Sequence, residues 1–149
     1  MSKFILDVYY LERSIANKGD SYVSKYVKKA LKSGKGAIKI TKQAACDRVD
    51  VYKLMGVYYW LVNKQKKAYK WWDKSIKEGD RIGARLELSR TYFEVGKRLF
   101  EPKSKHQKLN GITAEEYLEK ARVLFEEMDL QWDLEQLEKV KRGEQVPIV

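Results

Sequence analysis

The chain has 149 residues, of which 31 are Lys or Arg and 21 are Asp or Glu, so its net charge is +10. A chain of this length buries roughly two-thirds of its unfolded surface in one domain and needs no disulfide to stabilise it. Its apolar runs are far shorter than the roughly 20 residues that cross a bilayer, and the amino end lacks the pattern of a secretion signal. We therefore expect a cytoplasmic protein that neither spans a membrane nor is exported.

The positive charge is concentrated in one segment. Residues 23 to 77 contain 15 basic and 3 acidic residues, a balance of +12 against +10 for the whole chain. Such a segment attracts nucleic acid, an anionic membrane or an acidic protein, or it is only a solvated face.

Apolar residues recur at spacings of three and four, which predicts an all-α fold of six to seven helices. The first helix covers "FILDVYYLERSIANKG" and ends near Gly19. The second lies between Asp20 and Asp47, where Gly34 and Gly36 leave room for a bend or break. One side of this helix is apolar, and the other carries a basic stripe within an arc of roughly 140°. The basic stripe consists of Lys25, Lys28, Lys29, Lys32, Lys35, Lys39 and Lys42.

The remaining helices follow after turns. We predict helices at residues 48–62, 65–78 and 84–100, with Asn63 in the first of these turns. The stretch "EPKSKHQKLNGI" (101–112) is predicted to be a polar loop. Thr113 and Glu116 form a capping box that opens a sixth helix, "AEEYLEKARVLFEEM". A last helix at 130–142 precedes a frayed tail, "GEQVPIV".

The third and fourth predicted helices carry a repeat pattern. It consists of Tyr52, Met55, Gly56 and Tyr59, followed by Ala68, Trp72 and Ser75. This pattern resembles the tetratricopeptide repeat, whose first helix carries an aromatic residue, a large apolar residue, a glycine and an aromatic residue. Its second helix carries alanine, an aromatic residue and a small residue. Gly56 and Ala68 allow the two helices to approach closely, and Tyr59 and Trp72 fill the space on either side of that contact. Trp71 is then expected at the edge of the core, at the boundary with the preceding helix pair, or else at the surface.

A second, more divergent copy of the pattern follows. It contains Leu86, Phe93, Ala121, Phe125 and Met128. Ser89 and Arg90 replace the apolar residue and the glycine, and about 19 extra residues lengthen the turn between its helices. The resemblance implies a short right-handed solenoid of antiparallel helix pairs. Its parts are a degenerate pair (1–46), the strong repeat (48–80), the second repeat (84–128) with the inserted loop 101–112, and a capping helix (130–142).

The second half of the chain has a further resemblance. The stretches "GDRIGARLELSRTYFEVGKRL" and "YLEKARVLFEEMDLQWDLEQLEKV" are similar to the carboxy-terminal helical-repeat region of large bacterial signalling proteins that carry cyclase or ATPase domains. The resemblance implies a protein-interaction module, either a fragment of such a protein or a stand-alone relative. Its expected partner is a protein or peptide, for example an attached catalytic domain, and the exposed ends of the stack imply self-association.

Helical repeats of this kind bind through the concave surface that the first helix of each pair lines. The resemblance places nine residues on this groove: Asp50, Lys53, Val57, Trp60, Leu61, Glu87, Thr91, Glu94 and Val95. Trp60 is the strongest candidate to contact a partner, because large aromatic side chains dominate many interfaces. The alternative is that Trp60 packs against the first two helices.

Few residues suggest chemistry. Cys46 has no partner at disulfide or zinc spacing and is predicted to be a small buried residue. His106 is predicted to be exposed in the lysine-rich loop. The carboxylate pairs at 115–116 and 126–127 fit the first turn of a helix and a solvated face. Because no nucleophile motif, phosphate loop or metal spacing occurs, we expect no enzyme activity, cofactor or metal.

Two other functions remain open. Nucleic acid would bind along the basic stripe with a steep salt dependence, because each phosphate contact releases counterions. The binding is expected to be weak and independent of sequence, because no exposed aromatic residues are expected among the lysines. An anionic membrane surface would attract the same helix, but its apolar face is needed for the core and leaves little area to insert.

Overall fold

The protein is described by a computed structural model that covers residues 2–41, 44–146 and 148. Within these ranges the chain forms seven helices and one short hairpin, which confirms the predicted all-α fold. The helices are α1 (Ser2–Ala16), α2 (Val23–Ile40), α3 (Ala45–Leu61), α4 (Gln65–Ile82), α5 (Arg85–Leu99), α6 (Ala114–Glu127) and α7 (Gln131–Lys141). None of the helices in the described ranges is long and apolar enough to cross a membrane.

The helices pack in consecutive pairs. α1 packs on α2, α3 on α4 and α5 on α6, and short turns connect the members of the first two pairs. α3 also contacts α1, α2 and α5, so it lies at the centre of the structure. The main core cluster, which includes Phe4, Leu54, Trp60 and Trp72, joins α1 to α4 with parts of α5 and α6. A second cluster joins α5, α6 and α7 through Phe93, Leu118, Ala121, Phe125, Leu137 and Val140.

The closest approach of α3 and α4 lies at Gly56. A Cβ atom at this position would lie 2.2 Å from the ring of Trp72, so any other residue would force the helices apart. Trp72 is completely buried and its Nε1 donates to the carbonyl of Lys53 at 3.2 Å. The roles that the repeat pattern assigns to Gly56 and Trp72 are therefore present.

Gly34 plays a similar part in the first helix pair. α2 continues through Gly34 and Gly36, so the break for which these glycines left room does not occur. Gly34 is buried, and a Cβ atom there would lie 2.7 Å from Met55 Sδ and 3.0 Å from the ring of Phe4. The absence of a side chain at this position lets α2 approach α1 and α3.

Two turn features are present as the sequence predicted, and one hairpin was not predicted. Asn63 has φ 61°, as its turn requires, and the capping box of Thr113 and Glu116 is formed in both directions. The predicted polar loop contains a hairpin, in which β1 (Lys108–Leu109) pairs antiparallel with β2 (Ile112–Thr113). Asn110 and Gly111 between them have φ 54° and 76°. Asn-Gly is the sequence that favours such a two-residue turn, so the prediction of a plain loop was wrong here.

Helix α7 docks through a buried carboxylate. Asp133 is 4% exposed and accepts hydrogen bonds from Arg90 Nε at 3.0 Å and Nη2 at 3.3 Å. Arg90 stands where the repeat pattern expects glycine, and its pairing with α7 gives this departure a structural reason. The close approach of α5 and α6 occurs instead at Gly96, where a Cβ atom would lie 2.9 Å from Leu118.

Two further predictions are corrected. Cys46 is exposed at the start of α3 and is not a buried residue. The tail after α7 is not simply frayed, because Val146 packs on the second cluster and Ile148 packs on the main cluster. Pro147 and Val149 lie outside the described residues.

Candidate functional site

The residues that the repeat resemblance places on an open groove are mostly buried. The buried ones are Lys53, Val57, Trp60, Leu61, Thr91, Glu94 and Val95, and the partly buried ones are Asp50 and Glu87. The expectation of an open groove along these positions is therefore wrong for this structure. Neighbouring helices and later parts of the chain cover them.

Trp60 belongs to the core. Its side chain is completely buried, and its ring lies 5.6 Å from that of Trp72 and 6.2 Å from that of Tyr69. Its Nε1 donates to Glu101 Oε2 at 3.0 Å, and Lys103 Nζ lies 5.5 Å from the ring centre. Trp60 is therefore packed, as in the alternative. Its ring contacts are with α4 and its hydrogen bond is with the inserted loop, however, where the first two helices had been expected.

Gln65, the first residue of α4, binds the backbone of this inserted loop through hydrogen bonds. Its Nε2 donates to the carbonyl of Lys103, and its Oε1 accepts from the backbone N–H of Lys105, both at 2.9 Å. The same oxygen accepts from the hydroxyl of Tyr69 at 3.2 Å. Because these bonds fix the loop backbone, they hold Glu101 and Lys103 against Trp60.

Arg98 joins three carboxylates at the end of α5. Its Nε donates to Glu94 Oε1 at 2.8 Å, its Nη1 to Glu101 Oε1 at 2.9 Å, and its Nη2 to Glu12 Oε1 at 3.1 Å. Arg98 is 3% exposed, so water screens these pairs little. A guanidinium presents several donors in fixed directions, which suits it to a site where three elements meet. Arg98 thereby connects α1, α5 and the inserted loop.

Lys97 adds a second positive charge beside Glu94. Its Nζ lies 2.9 Å from Glu94 Oε2, outside hydrogen-bonding geometry, so the pair is held by charge more than by direction. Burial by itself raises the pKa of Glu94, but the charges of Lys97 and Arg98 overcome this and lower that pKa to about 2. Burial also lowers the pKa of Lys97, and the attraction of Glu94 offsets this only in part. Glu94 therefore stays ionised. For Lys97, burial outweighs the attraction of Glu94 and disfavours the charged ammonium.

A cleft of about 530 Å³ opens beside this charge cluster. The carboxy ends of α1, α3 and α5 meet there, although these helices are not consecutive. The lining is mixed: Ile15, Ala16, Leu61, Phe100, Pro102, Val140 and Val146 are apolar, and Glu12, Lys97, Arg98, Glu101, Lys103 and Glu144 are charged. Phe100 is 44% exposed, so a large apolar side chain is available at this opening. Apolar surface beside a few fixed charges is typical of binding sites.

The tail closes one side of the cleft. Residues 143–146 line it, as do Glu12, Ile15 and Ala16 of α1. The segment after the last described helix and the end of the first helix thus line the same cleft. Sequence analysis missed this arrangement, because the short tail has no periodicity that predicts where it packs.

The basic stripe is an exposed face of α2. The described members, Lys25, Lys28, Lys29, Lys32, Lys35 and Lys39, are all exposed, and Lys42 lies outside the described residues. None of these six lies within ion-pair distance of a carboxylate in the described part of the chain. Within the described residues, no carboxylate therefore compensates these charges directly.

Tyrosines lie next to the stripe, contrary to the expectation that it has no aromatic neighbours. Tyr10 of α1 is 45% exposed and stacks on Tyr26 of α2 at 5.9 Å. Tyr22 is 57% exposed, and Lys25 Nζ lies 5.7 Å from its ring centre. The position of Tyr10 beside the stripe could not be predicted from the sequence, because it depends on the pairing of α1 with α2.

The remaining candidates have structural roles. His106 is exposed as predicted, with its ring 5.4 Å from that of Tyr69. Glu116 completes the capping box, while Glu126 and Glu127 pair with Arg122 and Arg85. Trp71 is half-buried against Tyr52 at 5.6 Å, at the edge of the core as expected. No group of His, Cys, Asp and Glu in the described ranges has the arrangement of a metal site.

Comparison with known proteins adds no relative. No protein-family model, curated protein or solved structure matches this chain.

Proposed function

We propose that this chain is a protein-binding module of the tetratricopeptide type, and that the cleft at the carboxy ends of α1, α3 and α5 is its binding site. The proposal rests on one observation: these three helices, which are not consecutive, meet in one cleft. Each is the first helix of its pair, and the first helices of such pairs form the binding surface of helical repeats.

The packing of the helices supports a repeat architecture. α3 contacts α1 on one side and α5 on the other, and α2 and α4 contact the first helix of the next pair. The close contact at Gly56 and Trp72 supports the repeat resemblance itself. The proposed solenoid rests on this order of contacts, with α7 as the capping helix. Its right-handed sense is what the repeat resemblance implies.

The chemistry of the cleft favours a peptide segment as ligand. Phe100 and Leu61 line the cleft with apolar surface, and Lys103 and Glu101 line it with charged groups. The apolar side chains would contact side chains of a peptide, and the charged groups would bind its polar backbone. We propose that the ligand belongs to a partner protein, such as an attached catalytic domain of a bacterial signalling protein. No step of catalysis is assigned to this chain, and we propose that it acts in the cytoplasm as a binding protein without a cofactor.

The test is peptide selection on the folded chain. Peptides from a random library would be selected for binding, and their affinities measured for the unaltered chain and for Phe100→Asp. The matched control is Val123→Asp, which alters an apolar residue of similar exposure, 40%, on α6 away from the cleft. We expect Phe100→Asp to weaken binding at least tenfold and Val123→Asp to leave it unchanged. Peptides that bind all three proteins equally would contradict the proposed site.

A second function is favoured by the basic stripe: we propose weak binding of single-stranded nucleic acid. The observation behind it is the six exposed lysines without carboxylate partners in the described chain, beside the stacked pair Tyr10 and Tyr26. Lysines neutralise phosphates and exposed rings stack on bases.

An oligonucleotide titration tests this second function. Affinity for a labelled single strand should fall with salt, with a slope of log K against log salt of about −0.7 per phosphate contact. The double change Lys28→Glu, Lys32→Glu should weaken binding. The control, Lys66→Glu with Lys70→Glu, makes the same change of charge at exposed lysines of α4. Equal losses in both variants would show that net charge alone is responsible.

A further inference from the structure

Four exposed apolar side chains lie beside the basic stripe. They are Leu6, Tyr10, Tyr22 and Ile40, which we call the apolar edge, and they make up half of the eight large apolar side chains that are exposed in the described ranges. Leu6 is 51% exposed, and Ile40 is 77% exposed, the highest value of the eight. Packing in the core therefore does not account for the apolar edge.

Tyr22 and Ile40 lie on the same side of α2. Tyr22 is the N-cap residue and already has helical dihedral angles, and Ile40 is the last residue of the helix. They are 18 positions apart, which corresponds to about five turns and about 27 Å along the helix. Lys29 lies between them, seven positions from one and eleven from the other, and so projects to nearly the same side. The apolar edge thus adjoins the basic stripe.

The other two side chains of the apolar edge come from α1. Tyr10 stacks on Tyr26, and the ring of Phe4 lies beside Gly34, so α1 and α2 run antiparallel. Leu6 is one turn away from Tyr10 and faces the same way. The first helix pair therefore presents one surface on which apolar side chains lie next to lysines.

The charges of this helix pair are mostly positive. Residues 2–41 contain nine basic and three acidic residues. Lys3 and Arg13 are exposed and lie three positions before and three positions after the two residues that α1 contributes to the apolar edge. Glu12, one of the three carboxylates, is bound by Arg98 at the cleft. A partner that complements this surface has to be anionic and has to accept apolar side chains.

We propose that the basic stripe and the apolar edge together form a docking surface for a membrane that contains anionic lipids. Lysines attract the headgroups, and the tyrosines and aliphatic side chains enter the boundary between headgroups and acyl chains. Sequence analysis expected too little apolar area for such docking, because it considered only the side of α2 that the core buries. The apolar edge comes instead from α1 and from the two ends of α2.

This docking surface goes beyond the binding of nucleic acid proposed for the basic stripe. Both partners are anionic, and both bind less tightly as the salt concentration rises. Nucleic acid uses lysines for its phosphates and rings for its bases, so Leu6 and Ile40 do not contribute to its binding. These two aliphatic residues therefore favour the membrane and distinguish it from nucleic acid.

The first experiment measures sedimentation of the chain with vesicles of phosphatidylcholine, alone or in an equimolar mixture with phosphatidylserine. We expect binding to the mixed vesicles only. The double change Leu6→Gln, Ile40→Gln removes apolar surface without changing the charge and should lower this affinity about tenfold. The matched control is Leu86→Gln with Val123→Gln, at aliphatic residues of 36% and 40% exposure on α5 and α6, and should bind like the unaltered chain.

The same proteins are titrated with the labelled single strand. Leu6→Gln, Ile40→Gln should bind the strand like the unaltered chain, because its lysines and tyrosines are intact. Lys28→Glu, Lys32→Glu should weaken binding to the mixed vesicles as well as to the strand, since both are anionic. Circular dichroism would establish that each variant is folded.

A fluorescent probe tests contact with lipid and does not depend on the glutamine variants. Ile40→Cys in a Cys46→Ser background carries a single cysteine, which is labelled with a dye whose emission shifts to shorter wavelengths in apolar surroundings. We expect this shift when the mixed vesicles are added. The same dye at Val123→Cys in that background should not shift.

Two results would overturn the proposal. If the mixed vesicles do not bind the chain or shift the dye at position 40, while the single strand binds, the basic stripe serves nucleic acid alone. If the mixed vesicles bind Leu6→Gln, Ile40→Gln as tightly as the unaltered chain, charge alone attracts the chain and the apolar edge is not part of a docking surface.

Discussion

Arg98 of α5 donates a hydrogen bond to Glu12 of α1 at 3.1 Å, between residues 86 positions apart in the chain. This bond connects the first and third helix pairs at the cleft. The same guanidinium also binds Glu94 and Glu101, so the walls of the cleft are joined through one buried cation. The shape of the cleft therefore depends on Arg98.

The first prediction concerns the loss of this cation. Arg98→Met leaves Glu94 buried beside Lys97 and removes the ion pairs that Arg98 makes with Glu12 and Glu101. Breaking a buried ion pair by removing one partner costs about 3–5 kcal/mol, and we expect a loss of that size in the free energy of unfolding. Urea denaturation followed by circular dichroism measures it.

Arg122→Met is the control for this prediction. Arg122 pairs with Glu119 and Glu126 on the surface of α6, where water screens the charges. Its urea midpoint should shift far less than that of Arg98→Met. Similar shifts for the two variants would show that burial of the Arg98 cluster adds nothing to the free energy of unfolding beyond what a surface ion pair contributes.

The second prediction concerns the contact between α3 and α4. Gly56→Ala places a methyl group where Trp72 now lies, 2.2 Å from the ring, so the helices have to separate. Overpacking of a core costs about 1–3 kcal/mol, and we expect at least that loss in the free energy of unfolding.

Gly36→Ala is the matched substitution within a helix. No atom lies within 4 Å of the position that its Cβ would occupy, so alanine should stabilise α2 by roughly 0.5–1 kcal/mol. Thermal unfolding should therefore shift the two variants in opposite directions. A loss of stability in both would mean that the space beside Gly56 is not the cause.

The third prediction concerns pH. The pKa of Glu94 is lowered from 4.5 to about 2 by Lys97 and Arg98, in spite of burial. Hydrogen bonds from Arg81 and Arg48 lower the pKa of Glu78 to about 2 as well. In both cases the unfolded chain binds more protons than the folded chain between these values. The stabilisation is therefore complete above pH 4.5 and is lost as the pH falls toward 2.

Glu94→Gln tests the contribution of the buried carboxylate. The amide cannot titrate, so the free energy of unfolding should depend less steeply on pH between 4.5 and 2, although the variant is less stable at pH 7. Glu115→Gln, at an exposed position of α6, serves as the control. An acid dependence as steep in Glu94→Gln as in the control would refute the assignment.

The fourth prediction concerns the loop that covers Trp60. Gln65→Ala removes the two hydrogen bonds that fix the backbone of Lys103 and Lys105. A hydrogen bond contributes about 0.5–1.5 kcal/mol, and an unsatisfied buried group adds to the cost of its loss. We expect faster hydrogen exchange at residues 101–107 and easier quenching of Trp60 fluorescence.

Lys66→Ala, at the next and exposed position of α4, is the control for the loop. Measurements in a background with Phe at positions 71, 72 and 132 would isolate the emission of Trp60. Unchanged exchange in Gln65→Ala would mean that the loop is held by other contacts, such as the bond from Trp60 to Glu101.

The sequence by itself determined the local elements of this protein. The seven helices of the described ranges lie close to their predicted positions, because helix periodicity, caps and turn residues depend on neighbours within a few positions. Gly56, Trp72, Asn63 and the capping box at Thr113 were predictable for the same reason. The hairpin at Asn110 was within reach of such local signals and was overlooked.

The tertiary structure decided which surfaces are available. Trp60 is covered by Glu101, 41 residues later, and Arg98 meets Glu12 across 86 residues. The tail lines the same cleft as the end of α1, and Tyr10 joins the basic stripe only because α1 pairs with α2. No periodic pattern in the sequence predicts these contacts. They form when helix pairs stack and when loops fold back over the stacked helices. The predicted groove residues are therefore buried, and the cleft lies at the carboxy ends of the same helices.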